Sequence, residues 1–177
     1  MKIFLNAGHG GTDPGATSSD KKLKEADVAA NIVNLLIKKL KLNGYTYEAF
    51  QQSKSYFEIS KVENKSKATL FISVHCNASV NPQAHGVETL YQEKSAKGKQ
   101  FAQVFQNELV KKTKLTNRGT KPRKDIHVLN RTFAPAVLIE CAFISNPTES
   151  QMLKNQPELF ADAIFEAIKI LNKNKQI

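Results

Sequence analysis

Four side chains suited to acid–base or metal chemistry stand where apolar runs break off or a helical pattern begins: His9, Glu25, His75 and Glu140. His9 follows the apolar run at residues 2–6. It lies in Asn6-Ala7-Gly8-His9-Gly10-Gly11-Thr12-Asp13-Pro14-Gly15, whose glycines allow tight turns and leave the imidazole uncrowded. His75 closes Leu70-Phe71-Ile72-Ser73-Val74, and Glu140 closes Ala136-Val137-Leu138-Ile139. A carboxylate at the tip of a buried strand is costly unless it is paired or meets a cation, so Glu140 is the hardest of the four to explain as a structural residue. Glu25 opens a long helical pattern, where its charge would also suit the helix dipole. His9 and His75 have the plain alternative of being hydrogen-bonded loop and strand-edge residues.

Two histidines and a glutamate are a common catalytic zinc set, with a fourth position open to water and a second carboxylate nearby as base. This chain can supply all of these, from separate segments. Competing motifs are absent. No His-Glu-x-x-His occurs, a third fingerprint glycine is replaced by Asp13, and Ala16 stands where a Walker loop needs Lys-Ser/Thr. Cys76 and Cys141 lack thiolate-zinc spacing, and strand alternation turns them away from His75 and Glu140 as core fillers. His85 and His127 read as surface or structural residues.

The elements that must position these groups follow from periodicity. Residues 2–6 read as a buried first strand, and residues 25–42 as a helix whose apolar face is Ala29, Ile32, Val33, Leu36 and Leu40, stopped by Asn43-Gly44. Further strands are expected at residues 45–50, 69–75, 86–91, 126–129 and 136–140. A weak helical pattern covers residues 56–67, and clearer helices cover 96–115 and 157–171. Strands alternating with helices predict a three-layer αβα domain with a mostly parallel, mixed sheet of about six strands. Ligands of such sheets bind beyond the carboxyl ends of the strands, where these polar residues lie.

A chain of 177 residues with 41% hydrophobic and 24% charged content suits one globular domain over residues 1–177. No apolar stretch approaches the roughly 20 residues that span a bilayer. The start, Met1-Lys2-Ile3-Phe4, leaves no room for a signal peptide, so export is expected to use another device or a leader removed from this chain. The net charge of +10 draws the chain towards polyanions such as nucleic acid, anionic lipid or the phosphate polymers of a bacterial wall. No helix-turn-helix, zinc-finger or RNA-binding motif supports nucleic acid.

Taken in order, Leu5-Asn6-Ala7-Gly8-His9-Gly10-Gly11, Glu25, Leu70-Phe71-Ile72-Ser73-Val74-His75-x-Asn77-Ala78, Gly86-Val87-Glu88-Thr89-Leu90-Tyr91, Asn117-Arg118-Gly119 and Pro135-Ala136-Val137-Leu138-Ile139-Glu140-x-x-Phe143-Ile144-Ser145-Asn146-Pro147 form a specific set. It resembles the zinc-dependent N-acetylmuramoyl-L-alanine amidases of the type 3 class, found in bacterial autolysins and phage endolysins. The resemblance covers nearly the whole chain and implies that His9, Glu25 and His75 bind Zn2+ and that Glu140 is the catalytic carboxylate. The reaction it implies is hydrolysis of the amide between the lactyl group of muramic acid and L-alanine in peptidoglycan, at the cell wall, by a monomer. The source would be a phage endolysin or the catalytic domain of an exported protein. Asn77 would orient substrate or the His75 segment, or cap a turn. Anionic wall polymers are the further partner that the charge suggests. Cys76, Cys141 and a missing arginine ahead of the third strand depart from the family pattern. The alternative in another class is a non-catalytic wall-binding module of the same fold, against which the retention of all four site positions speaks.

Overall fold

A computed structural model describes residues 1–51 and 55–177. Six strands, β1 (Lys2–Ala7), β2 (Thr46–Gln51), β3 (Leu70–Asn77), β4 (Val87–Gln92), β5 (Asn117–Arg123) and β6 (Ala136–Phe143), form one sheet in the order β2-β1-β3-β6-β4-β5. β2, β1, β3 and β6 run parallel, β4 is antiparallel to β6, and β5 is parallel to β4. Six helices flank it: α1 (Glu25–Leu42), α2 (Tyr56–Ser66), α3 (Ala96–Thr113), α4 (His127–Arg131), α5 (Pro147–Asn155) and α6 (Pro157–Lys173). The three-layer, mostly parallel architecture is the one expected.

Both faces of the central strands are buried, which is why their sequences read as continuous apolar runs rather than alternating ones. Ile3, Leu5, Leu70, Ile72, Val74, Val137 and Ile139 join the larger core against α1, α3 and α6. Phe4, Phe71, Leu90 and Leu138 join a smaller core with Ile59 of α2 and Val128 and Leu129 of α4. The period of two therefore sends Asn6, Ser73, His75 and Glu140 to the same side as Phe4, Phe71 and Leu138. They continue an apolar row as a polar one towards the carboxyl end of the sheet. Cys76 and Cys141 point the other way, into the larger core, as free thiols.

Two expectations are corrected, and two elements appear that the sequence pattern does not announce. Residues 126–129 are not a strand but lead into α4. Ile126-His127-Val128-Leu129 is too short to distinguish the two, and here Asn130 N donates to Ile126 O at 3.1 Å, closing a helical turn that Asn130 Nδ2 to Ile126 O at 2.6 Å and Thr132 Oγ1 to Val128 O at 2.7 Å reinforce. Buried Glu63 of α2 then anchors the exit by accepting from the Phe133 and Ala134 backbone N–H groups. β5 gives no strand pattern in sequence because it is a largely exposed edge strand, Asn-Arg-Gly-Thr-Lys-Pro-Arg, with the glycine, proline and charges that edges carry. α5 follows an interpretable signal that periodicity missed: Asn146 accepts from Thr148 and Glu149 N–H, and Pro147 takes the first turn. Finally, β3 runs on to Asn77 and β6 to Phe143, so His75 and Glu140 lie within strands and face each other across the parallel ladder. The register slips between His75 and Asn77, an irregularity that re-aims the strand end.

Phe71 is fully buried and stacks on Phe4 with centroids 5.8 Å apart. Phe71→Ala is expected to destabilise the domain by about 3–5 kcal/mol, read by urea denaturation. A loss below about 1 kcal/mol would show that the smaller core is not tightly packed.

Candidate metal centre

The sheet brings together three of the predicted residues around one oxygen. Glu25, the first residue of α1, is 4% exposed, and its Oε1 lies 3.0 Å from His75 Nδ1 and 3.3 Å from His9 Nε2. The same oxygen accepts from Cys76 N at 3.0 Å, while Oε2 accepts from Ala16 N at 2.9 Å. The His9 and His75 rings stand edge to face, centroids 5.1 Å apart. Candidate ligand atoms of His9, Glu25 and His75 all lie within 4.8 Å of one another. Two imidazole nitrogens and one carboxylate oxygen form a donor set that fits a zinc ion.

Outer contacts orient each ring. His9 Nδ1 meets Asp13 Oδ2 at 2.8 Å, and His75 Nε2 meets Ser73 Oγ at 3.0 Å. His9 adopts φ 61°, an uncommon conformation for a residue with a Cβ. The neighbouring glycines do more than permit turning. A Cβ at Gly8 would fall 2.2 Å from His75 Cε1. One at Gly15, itself at φ +64°, would fall 2.7 Å from both Glu25 Oε2 and His9 Cδ2. The loop is not left uncrowded; the missing side chains are where the three site residues pack.

Electrostatics concentrates proton affinity here. His9 is raised from 6.5 to about 9 by its hydrogen bond to Glu25, with burial opposing and Asp13 adding. Burial pushes Glu25 upwards, but hydrogen bonds from His75 and His9 outweigh it and hold the carboxyl well below its ordinary range. Glu140 moves the other way, to about 8, because burial disfavours its charge and Glu25 and Glu88 add repulsion. Its Oε2 is buried and, among the described residues, finds no hydrogen-bond partner. Glu88, its register partner on β4, is spoken for: Asn77 Nδ2 donates to Oε1 at 2.9 Å and Arg118 Nε to Oε2 at 3.0 Å. Asn77 therefore commits its amide to Glu88, and its Oδ1 accepts from Ala78 N.

A groove of about 580 Å³ opens beside His9 and His75. Tyr56 and Phe57, both exposed, line its far wall with His127, whose ring centroid is 4.9 and 4.4 Å from theirs. Lys124 and Arg131 add positive charge. His127, read from sequence as incidental, thus belongs to the groove, whereas His85 is exposed and bonded to Gln83 O. Asp13 was discoverable as the residue four beyond His9, and Ser73 as the one two before His75. The aromatic wall had no local signal, since it forms only when α2 and α4 dock together.

A mixed α/β sheet bearing a cluster of two histidines and one carboxylate, beside an acid whose buried Oε2 has no partner among the described residues, defines an α/β domain with a candidate metal-hydrolase centre. The chain belongs to the N-acetylmuramoyl-L-alanine amidase family, whose model matches residues 3–170. A probable cell wall amidase, LytH, of Staphylococcus epidermidis is 35% identical over 170 residues, covering 94% of this chain and 57% of that protein. The chain thus spans little more than half the length of the curated relatives it matches. The crystal structure of an N-acetylmuramoyl-L-alanine amidase from Clostridium difficile 630 superposes with a TM-score of 0.90 at 29% identity, covering 98% of this chain and 97% of that one. The catalytic domain of CwlV from Bacillus (Paenibacillus) polymyxa gives 0.88 at 28% identity, covering 97% and 98%.

The sign of the Glu140 shift has a measurable consequence. Between about 4.5 and 8 the native state holds a proton that the unfolded chain has released, so stability falls as pH rises through that window. Denaturation of the chelator-treated protein across this range is expected to show that fall, and Glu140→Gln to make it shallower. Equal slopes in the two proteins would show that Glu140 ionises normally.

Proposed function

We propose that this domain hydrolyses the amide bond between the lactyl group of N-acetylmuramic acid and L-alanine in bacterial peptidoglycan. In this reading His9, Glu25 and His75 hold Zn2+ and Glu140 moves the proton. The observation that carries it is the convergence of His9 Nε2 and His75 Nδ1 on Glu25 Oε1, with Glu140 on the neighbouring strand, its Oε2 without a partner among the described residues. When bound, zinc supplies Lewis acidity, polarising an amide carbonyl and making water more acidic.

Glu140 supplies what the amide reaction needs from the protein. A cation held by His9, Glu25 and His75 would favour the ionised form of Glu140, and that carboxylate can take the proton of an attacking water and return it to the departing alanine nitrogen, which would otherwise leave as a poor anionic group. Burial of its Oε2 keeps bulk water from competing for that oxygen. Asn77 serves by bracing Glu88 and the end of β3, which keeps the His75 segment in place. The groove receives the substrate: Tyr56, Phe57 and His127 suit the apolar face of a sugar ring, and Lys124 and Arg131 suit carboxylates of the stem peptide. The site of action is the cell wall. The net charge of +10 would hold the domain on anionic wall polymers by non-specific attraction.

Purified peptidoglycan digested with this protein should yield stem peptides with new L-alanine amino termini, and a chelator should stop the release. His9→Ala is expected to lose zinc, and Glu140→Gln to keep zinc but lose turnover by about 10²–10⁴-fold. An active Glu140→Gln variant would remove Glu140 from the mechanism, and release of reducing sugars would indicate glycoside cleavage. Retention on isolated walls should weaken as salt rises and the Debye length shrinks from about 10 Å at 0.1 M to about 3 Å at 1 M. Salt-independent retention would rule out charge as the anchor.

A further inference from the structure

Behind His75 lies a two-residue chain of polar groups that takes no part in the proposed chemistry. Asn6 of β1 and Ser73 of β3 are direct register partners, and both are fully buried. Buried polar side chains on a strand face otherwise filled by phenylalanine are costly unless every donor and acceptor is used. Here they are used in one direction only.

Asn6 Nδ2 donates to Ala7 O at 3.1 Å and to Phe50 O at 3.2 Å. Two carbonyl oxygens on that side require the NH2 group there, so the opposite atom, Oδ1, only accepts. Ser73 Oγ lies 2.7 Å from Asn6 Oδ1, and a hydroxyl has one proton, so Ser73 must spend it on Asn6. The 3.0 Å contact between Ser73 Oγ and His75 Nε2 then has one arrangement: Nε2 carries the hydrogen and donates to the serine oxygen. Nδ1, which hydrogen-bonds Glu25 Oε1 at 3.0 Å, is left as the nitrogen that can give up its hydrogen and turn a lone pair to a metal. His9 is set the opposite way, because Asp13 accepts from its Nδ1 and Nε2 turns towards Glu25.

We infer that Asn6 and Ser73 are positioning residues that dictate which nitrogen of His75 meets the metal, an inference that rests on the zinc reading above. The relay works by donor and acceptor counting. The Asn6 amide is oriented by two backbone carbonyls, the serine hydroxyl by the amide, and the imidazole by the hydroxyl. Without the serine oxygen, the ring loses the acceptor that holds hydrogen on Nε2, and the form with hydrogen on Nδ1 becomes accessible; that form points a donor instead of a lone pair at the metal position. Outer-sphere partners of this kind are worth on the order of 10–100-fold in metal affinity.

The test measures zinc affinity by competition with a chromophoric chelator, for wild type, Ser73→Ala, Ser73→Thr and Asn6→Leu, with folding checked by circular dichroism. Ser73→Ala and Asn6→Leu are expected to bind zinc about 10–100-fold more weakly, and Ser73→Thr, which keeps the hydroxyl, to stay within about threefold of wild type. Wild-type affinity in a folded Ser73→Ala, or a folded Ser73→Thr as weak as Ser73→Ala, would overturn the relay. A second readout needs no variant. Long-range ¹H–¹⁵N spectra of the zinc-loaded wild type should show hydrogen on His75 Nε2 and metal on Nδ1, and the reverse assignment would overturn the inference even if every variant failed to fold. A wild type that binds no zinc would overturn the metal reading itself, whereas the variant and spectroscopic failures overturn the relay alone.

Discussion

Glu25 is a carboxylate taken out of water at the start of a helix, and the arrangement of the site follows from how its two oxygens are satisfied. One oxygen draws in the Ala16 backbone N–H and so closes the loop after β1. The other draws in the Cys76 N–H, His75 and His9. A single buried charge thereby ties together α1, the loop and the end of β3. Charge-assisted hydrogen bonds of this kind are stronger than neutral ones, and losing any one would leave an anion under-solvated in a low-dielectric setting.

The same charge shapes its surroundings. Glu25, Glu88 and Glu140 lie close enough for the first two to raise the third, yet each is managed differently. Glu25 is stabilised by N–H donors and imidazoles. Glu88 is held by Asn77 and by Arg118, whose guanidinium also lies 4.8 Å from the Phe143 ring centre. Glu140 Oε2 has neither kind of partner among the described residues, and burial, with repulsion from Glu25 and Glu88, raises its pKa to about 8. Carboxyl groups whose environments push their pKa values apart divide naturally into a ligand-like anion and an acid or base.

Space is as constrained as charge. The glycine loop is short of side chains because the imidazole of His75 occupies the position of a Gly8 Cβ, and His9 and Glu25 crowd that of Gly15. His9 accepts a positive φ because its ring is anchored by Asp13 on one edge and faces Glu25 on the other. Packing and backbone conformation together restrict where the two imidazoles and the carboxylate can sit, as a site of fixed geometry requires.

Much of this could be read from the chain alone. The apolar runs placed β1, β3 and β6, the periodic face placed α1, and polar residues interrupting those patterns picked out His9, Glu25, His75 and Glu140. Local pattern suffices for such features, since burial on a strand or helix imposes its own period. It failed for β5, whose exposed edge carries no period, and for α4, which is too short to have one. Other features depended on which strands are neighbours. Asn6 and Ser73 are 67 positions apart and meet only because β1 and β3 pair in parallel. His75 and Glu140 oppose one another through β3 and β6, and the aromatic wall needs α2 against α4. Residue types and spacing determined what chemistry was available. Which atoms face one another was decided by strand register, because a shift of one residue would turn every one of those side chains to the opposite face of the sheet.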